Sequence, residues 1–419
     1  MTASTPRPGS RAVLVAGGGL PALALALALK RAHGPALDAT VLDPGGAEPA
    51  RHRGRAYAVA PGPRRMLERL EIWDRLAGAA EPITEMIVSD SRLADPIRPV
   101  FLTFGAEADR GGDEPVAHMV EAEPLAAALR DACVAAGVAI EAASVVSARV
   151  EGAAIRAALA GGGTRSADLL VAADGARSAL REAARIGWVG RDYSQVGIVA
   201  TIGHARPHGG RAFEHFLPSG PFAILPLPDG GALGHRSSIV WTERAADAEA
   251  LLAGDPGEVL AEIERRFTLD LGQLGLEHGP SRHPLAVGIA RRFSADRLAL
   301  LGDAAHVIHP IAGQGLNLGL ADAAALAEAV TEALRLGLDP GGPGTLRAYE
   351  RARRFDTVAM AAMTDGLNRL FSNDALPVRL ARDLGLGLVD RMPGLKRFFA
   401  TEAAGLGGAS PRLLRGEKL

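Results

Sequence analysis

Residues 12–22 read Ala-Val-Leu-Val-Ala-Gly-Gly-Gly-Leu-Pro-Ala, and the fold turns on this stretch. Ala12 to Ala16 is a short uncharged apolar run, the pattern of a strand buried on both faces. Three glycines follow. Pro21 then stands where a helix begins, because its missing N–H costs nothing in a first turn. Ala22 to Ala32 continues as helix and Ala39 to Asp43 returns as a second strand, which makes one βαβ unit. Residues 12–29 carry no charge and follow Arg7 and Arg11, so they superficially match a signal peptide or a membrane helix. Gly17, Gly18, Gly19 and Pro21 in the middle favour a strand, tight turn and helix instead. No other stretch reaches 18 uncharged apolar residues, so the sequence predicts a soluble or peripheral protein.

Working outward, 419 residues at 48% hydrophobic are enough for two to three domains or one large fused core. The 46 basic residues are balanced by 48 acidic ones, for a net charge of -2. That leaves no electrostatic footprint for nucleic acid. Cys133 stands alone, which excludes a disulfide framework and a thiolate metal site and fits a reducing compartment.

Arg64 to Leu76 reads as helix with Met66, Leu70 and Trp73 on one face, and Pro124 opens another helix running to Ala136. Leu169 to Asp174 reads as a strand ending in Asp-Gly. From Val196 to Thr242 the pattern becomes β-rich, in the runs Val196–Ile202, Ala212–Leu217, Phe222–Leu227 and Ser237–Trp241, an antiparallel sheet layered onto the nucleotide-binding part. Leu298 to Leu301 is a strand again, followed by helix from about Gly315 to Leu336. Asp339–Gly344 marks a loop, and Thr345 to Gly405 is mostly helical.

Three motifs carry chemistry. Gly17-Gly18-Gly19-Leu20-Pro21-Ala22 is a G-x-G-x-x-A turn directly after a strand. Its first glycine makes the turn, its second lets backbone approach a pyrophosphate at the helix N-terminus, and Ala22 allows close helix–strand packing. Asp43 ends the second strand 24 residues after Gly19, where a carboxylate accepts hydrogen bonds from an adenosine ribose. This predicts dinucleotide binding without separating FAD from NAD. The second motif is Asp174-Gly175-Ala176-Arg177-Ser178, which on its own is also a plain Asp-Gly turn. The third is Gly302-Asp303-Ala304-Ala305-His306, followed by Pro310 and Gly313-Gln314-Gly315-Leu316-Asn317. Here a strand delivers one carboxylate, suited to ribityl or ribose hydroxyls. The glycine-rich helix start offers N–H groups from Gly313 to Leu316 to a negative charge, as on a reduced flavin.

In this order and spacing the three motifs resemble the class A FAD-dependent aromatic monooxygenases. Further segments resemble one branch, the ubiquinone-biosynthesis hydroxylases: Arg55–Ala58, Tyr193–Gln195, Phe213–Pro218, Ser238–Thr242, His309–Leu320 and Asp365–Asn373. The resemblance implies an α/β fold: a Rossmann-like FAD-binding domain, an interleaved antiparallel β-sheet substrate domain and a helical C-terminal section. The expected division is 1–80, 123–190 and 286–340 for FAD binding, 81–122 and 191–285 for the substrate domain, and 341–419 for the helical section. By the same resemblance Gly17, Gly19 and Ala22 hold the FAD pyrophosphate and Asp43 the ribose, while Arg55 contacts FAD after the second strand. Asp174, Gly175 and Arg177 serve FAD and the reduced nicotinamide, Gly302 and Asp303 the ribityl side. Pro310, Gly313, Gln314, Gly315, Leu316 and Asn317 line the isoalloxazine ring, the first four at the reacting end. Ala122 departs from the family, which often has Asn or Arg there; Arg130 on the same predicted helix is the candidate replacement.

The reaction so implied is NAD(P)H reduction of the flavin, addition of O2, and hydroxylation of an electron-rich ring by a flavin C4a-hydroperoxide. The implied substrate is a polyprenyl phenol or quinol. Such a tail must be met at a bilayer or through a ubiquinone-biosynthesis complex, which places the protein in the cytoplasm or peripheral to the inner membrane. The apolar stripe Leu395, Phe398, Phe399 and Ala403 is one candidate surface, with core packing as its plainer reading. Phe213, Phe216, Phe222 and Trp241 are available to line a wide pocket. The alternatives are a small aromatic or polyketide substrate, for which Arg211 and Arg236 are the available cations, and a non-catalytic flavoprotein subunit of a biosynthetic complex. Asp303, His306 and His309 mimic metal-ligand spacing, but nothing offers a fourth ligand, so no metal is expected. Asp174 and His215 are open as general bases; a phenol, which activates its own ring, does not require one.

Overall fold

Strand Arg11–Ala16 runs through the middle of a six-stranded sheet, paired in parallel with Leu37–Leu42 on one side and Leu169–Ala172 on the other. Leu298–Leu300 and Ala139–Glu141 extend the two sides in parallel, and the short Ser294–Ala295 strand adds antiparallel at the edge. The computed structural model describes residues 10–46, 54–76, 78–93, 95, 100–105, 114–266, 271–372 and 410–419. Within them are eight α-helices: α1 (Leu20–His33), α2 (Pro61–Arg69), α3 (Ala122–Ala136), α4 (Ala179–Ala183), α5 (Ala245–Leu252), α6 (Pro256–Arg266), α7 (Gln314–Arg335) and α8 (Pro343–Phe371).

The membrane-like stretch is the βα unit. Helix α1 is apolar almost all round because it is buried almost all round, packed against the sheet, α3 and α7. Its first charge, Lys30, is itself buried and donates to the Leu37 carbonyl at 2.8 Å. No described helix is long and apolar enough to cross a membrane.

Two helix boundaries differ from the sequence reading. The helix expected over Arg64–Leu76 starts at Pro61 and stops at Arg69, and Trp73–Leu76 is a separate 3₁₀ turn. Glu71 takes a left-handed φ of 49°, which an α-helix cannot accommodate. Helix α3 begins at Ala122 rather than Pro124 and ends at Ala136, where Gly137, at a φ of 82°, lets its N–H cap the Cys133 and Val134 carbonyls. Of the section expected as helical from Thr345 to Gly405, α8 accounts for the part up to Phe371. The stripe at Leu395–Phe399 lies outside the described residues.

The second layer is an eight-stranded sheet in the order His306–Val307, Leu274–Ala290, Trp188–His204, His235–Arg244, Gly220–Leu227, Arg211–Leu217, Glu85–Asp90, Val100–Phe104. All pairs are antiparallel except Arg211–Leu217 with Glu85–Asp90. Strand alternation then sorts its residues. One face carries Ile198, Phe213, Phe222, Ile224, Ile239 and Trp241, packed with Ala248 of α5 and Val259 and Ile263 of α6. The other carries Gln195, Val199, Phe216, Thr242, Ser281 and His283, as the register shows. This corrects the expected pocket lining: Phe213, Phe222 and Trp241 belong to the α5–α6 core, and of the four aromatics only Phe216 is on the opposite face. The reading missed this because a one-residue change of parity moves every side chain across the sheet.

Candidate cofactor and substrate site

At the first turn Gly17 has a φ of +122° and donates its N–H to the Leu42 carbonyl at 2.8 Å. A Cβ there would lie 2.0 Å from the Ala173 carbonyl oxygen, and one on Gly18 would lie 2.3 Å from Asp43 Oδ2. The glycines therefore let three elements close on one point: the turn itself, the strand before Asp174, and Asp43. Gly18, left without a role by the fingerprint, is the one that Asp43 requires. Gly19 caps α1, Pro21 occupies its first turn, and Ala22 is buried. Asp43 is buried too, its Oδ2 accepting from Arg130 at 2.8 Å and its Oδ1 from the Gly45 N–H at 3.2 Å. Arg130 thus stands at this corner, as a partner of Asp43. Ala122 starts α3, its N–H donating to the Arg55 carbonyl.

The second and third motifs are joined by Arg181, a residue the sequence reading passed over. Its guanidinium donates to the carbonyls of Ala176 and Ala304, both at 3.0 Å, and lies 4.2 Å from the Trp188 ring centroid. Ser178 caps the helix that carries it, accepting from the Arg181 N–H. Asp174 is exposed and accepts from the Leu180 N–H at 3.2 Å, Gly175 has a φ of +86°, and Arg177 is exposed.

Gly302, at a φ of +59°, begins the third motif and donates to Asp322 Oδ2 at 3.2 Å. Asp322 also accepts from His306 Nε2 at 2.5 Å and Arg353 Nε at 2.9 Å. Burial pushes the Asp322 carboxyl up, but His306 and Arg353 prevail and hold it below its ordinary value. Asp322 and Arg353 were also missed; a lone charge inside the apolar run 316–327 was the available signal. Asp303 makes no hydrogen bond among the described residues. Its oxygens reach solvent, yet protein crowds around it, and this burial raises its pKa against the opposing pull of His306 and Arg55. Arg55 approaches His283 Nδ1 at 3.1 Å. Burial, then the Arg55 charge, lower the His283 pKa, so its ring is a neutral acceptor. Beside this pair is a cavity of about 360 Å³ lined by Gly54, Val199, Glu277, His278, Gly279 and Ser281. Arg236 is already paired with Glu121 and Glu277.

At the start of α7, Gly313 has a φ of +64° and gives its N–H to the Pro310 carbonyl at 2.9 Å. That N–H is therefore closed to a ligand, a correction to the expected donor set. The first-turn N–H groups of Gly315 and Leu316 have no helical carbonyl to meet. A Cβ on Gly315 would find nothing within 4 Å, so the position opens outward and is not crowded by protein. Gln314 and Leu316 are buried. The Asn317 side chain is engaged elsewhere, accepting from the Ala60 N–H at 3.1 Å and donating to the Ala58 carbonyl at 2.9 Å. It locks α7 to the start of α2.

Four of the segments that set the resemblance apart, those containing Tyr193, Phe216, His309 and Asp365, meet where the large sheet meets α8. Tyr193 donates to Asp365 at 2.7 Å, and Arg191 and Arg369 pair with the same carboxylate. Gln195 accepts from Asn368 at 3.0 Å, and Phe216 stacks on Phe371 with centroids 4.0 Å apart. His309 sits edge-on to Tyr193, fully buried, with burial lowering its pKa to about 4. His215 points to the other face, bonded to Ser89 and Ser91.

These residues fit a flavin dinucleotide on the molecule's own terms: a turn that a Cβ would fill, an exposed carboxylate with no hydrogen bond among the described residues, and a helix start opening outward. A model of the FAD binding domain family matches residues 10–364. Ubiquinone hydroxylase UbiL of Rhodospirillum rubrum is 44% identical over 414 residues, covering 97% of this chain and 93% of that protein. The 3-demethoxyubiquinol 3-hydroxylase of Escherichia coli is 35% identical over 248 residues, 59% of this chain and 62% of its own. Among solved structures, p-nitrophenol 4-monooxygenase PnpA of Pseudomonas putida superposes with a TM-score of 0.72 at 18% identity, covering 96% of this chain and 98% of that one. HpxO of Klebsiella pneumoniae, solved with FAD, gives 0.70 at 20% identity, covering 94% and 99%. These two share the fold. The sequence motifs, the fit of the site and the match over most of its length place the chain in the FAD binding domain family, among the flavin-dependent monooxygenases.

Proposed function

We propose that this protein hydroxylates the aromatic head group of a polyprenylated phenol or quinol on the route to ubiquinone, using NAD(P)H and O2. The observation that carries the reading is the likeness to a ubiquinone hydroxylase over 97% of the chain. The meeting of four of the distinguishing segments at one joint supports it. Bound FAD supplies the chemistry that passes electrons from NAD(P)H to O2 and delivers an oxygen atom.

The chain's own residues bind, orient and exclude water. Gly17, Gly19 and Ala22 admit the pyrophosphate to the start of α1, with Asp43 and Arg130 at the ribose. Asp303, positioned by Gly302, holds ribityl hydroxyls, and Arg55 stands across from it. Asp174 and Arg177 lie exposed around the half-buried Gly175, where a nicotinamide nucleotide arrives. Pro310, Gly313 and Gln314 shape the turn that presents the first-turn N–H groups of Gly315 and Leu316 to developing negative charge. Phe216, Ile311 and Phe371 form an apolar wall for the ring. The tail partitions into lipid at about 0.8 kcal/mol per CH₂, so the protein works at the inner-membrane periphery or in a biosynthetic complex.

A strain lacking the protein, and without a redundant hydroxylase, should lose ubiquinone and accumulate a prenylphenol visible by mass spectrometry. Normal ubiquinone would defeat the proposal and favour a small aromatic or polyketide substrate. Failure of the purified protein to hydroxylate with NAD(P)H would favour a non-catalytic subunit.

A further inference from the structure

His309 is fully buried, and neither of its ring nitrogens has a hydrogen-bond partner among the described residues. A neutral imidazole carries one N–H donor and one lone-pair acceptor. Both are unsatisfied here, on a residue that nothing forces to be polar: its ring contact is the edge of Tyr193. Buried polar groups in folded proteins are nearly always paired, so an exception calls for a reason. The fold supplies two pointers. His309 immediately precedes Pro310, at the entrance to the turn that opens α7. Two residues on, Ile311 packs with Phe216 and Phe371 in a cluster of apolar side chains.

We propose that His309 is a substrate-positioning residue: an uncharged imidazole whose N–H and lone pair are reserved for the hydroxyl groups of the ring being oxidised. The inference rests on the phenol or quinol reading above and deepens it. A phenol offers one O–H, and a quinol offers both donors and acceptors, which match the two nitrogens. The wall between is apolar, so a flat ring enters by displacing side chains without breaking a hydrogen bond. The charged group nearest in influence is Asp365, already held by Tyr193, Arg191 and Arg369. The imidazole therefore stays neutral and acts by hydrogen bonding, not as a cation.

A protein that keeps an unsatisfied group for a ligand gives up stability to do so. This separates the proposal from a structural role. Replacing His309 with Leu removes both unpaired atoms at similar volume and should raise Tm by about 2 °C or more. FAD content should stay at the wild-type level. With a short-chain 2-prenylphenol as probe, KM should rise about tenfold, the loss of one net hydrogen bond. Consumed NAD(P)H should then appear as H2O2 in place of product. His309→Gln, which keeps a donor and an acceptor, should recover most of the lost affinity. Unchanged KM and coupling in H309L would overturn the inference, as would a lowered Tm and lost FAD in both variants. If H309L fails to fold, H309Q decides: near-wild-type KM supports the role, and a raised KM with intact FAD overturns it. A wild type inactive on the probe overturns the proposed substrate and this inference together, whereas an active wild type matched by H309L overturns the inference alone.

Discussion

His306 and His309 stand three residues apart on one connection, both sealed from solvent, and the fold treats them oppositely. His306 belongs to a closed network: its Nε2 meets Asp322 at 2.5 Å, and Asp322 meets Arg353 at 2.9 Å and the Gly302 N–H at 3.2 Å. His309 meets none. The network ties the Gly302 turn, which carries Asp303, to two helices. The second histidine contributes no such bracing. Burial alone therefore says little about a polar residue's purpose. What separates support from reserve is whether each hydrogen-bonding atom is used.

The contrast can be broken most severely at Asp322. Asp322→Ala strands Arg353 without its main counter-charge in the interior and should cost about 3–5 kcal/mol in chemical denaturation. A loss below 1 kcal/mol, about the value of one ordinary hydrogen bond, would mean that the frame is not ionic. Next is the pH dependence carried by His309. The folded protein keeps this ring neutral down to about 4, while the unfolded chain takes the proton near 6.5. Stability is thus fully present above about 6.5 and should fall by about 3 kcal/mol as pH drops to 4. Urea unfolding across that window should be distinctly flatter in His309→Leu, and parallel curves would contradict the assignment. Below it, wild type should lose further stability as Asp322, held below its ordinary value, finally takes a proton.

Asp303→Ala should weaken FAD binding by about 1.5–3 kcal/mol, read by fluorescence titration of the apoprotein. The apoprotein itself should lose nothing, since the carboxyl that departs is one whose charged form burial disfavours. Unchanged affinity would remove Asp303 from the site. The smallest effect belongs to Gly315→Ala, where an added Cβ meets open space. The apoprotein should gain about 0.4–1 kcal/mol from the stiffer unfolded chain. Any loss of turnover would then come from the ligand side, and a destabilised apoprotein would show that the helix start is crowded after all.

The sequence was most informative where local rules decide. The apolar run, three glycines and Pro21 specify strand, turn and helix within a dozen residues, and the structure has them there. The segments Tyr193–Gln195 and Asp365–Phe371 were legible as distinctive, though not as neighbours. Three things were not legible, each for a physical reason. Arg181 joins two motifs through carbonyls 123 and 5 residues away, and backbone acceptors leave no residue signature. Asp322 and Arg353 are 31 residues apart on different helices, so only packing pairs them. Three of the four aromatics, Phe213, Phe222 and Trp241, were placed on the wrong face because alternation gives two faces without saying which one is inside.

The parallel sheet also sets a timetable. Strand Arg11–Ala16 is made early, yet its partner at Leu169–Ala172 emerges much later, and Leu298–Leu300 later again. At about 5–20 residues per second, the ribosome takes roughly 15–60 s to deliver the last of these. Strand Arg11–Ala16 lacks a neighbour on one side until Ala172 is made, and α1 waits longer still for α7. Pairing over such sequence distances is slow to form and exposed to aggregation meanwhile. Yield of this protein should therefore respond to synthesis rate and chaperone supply more than to the stability of its finished core, and fragments that stop short of Leu300 should be insoluble.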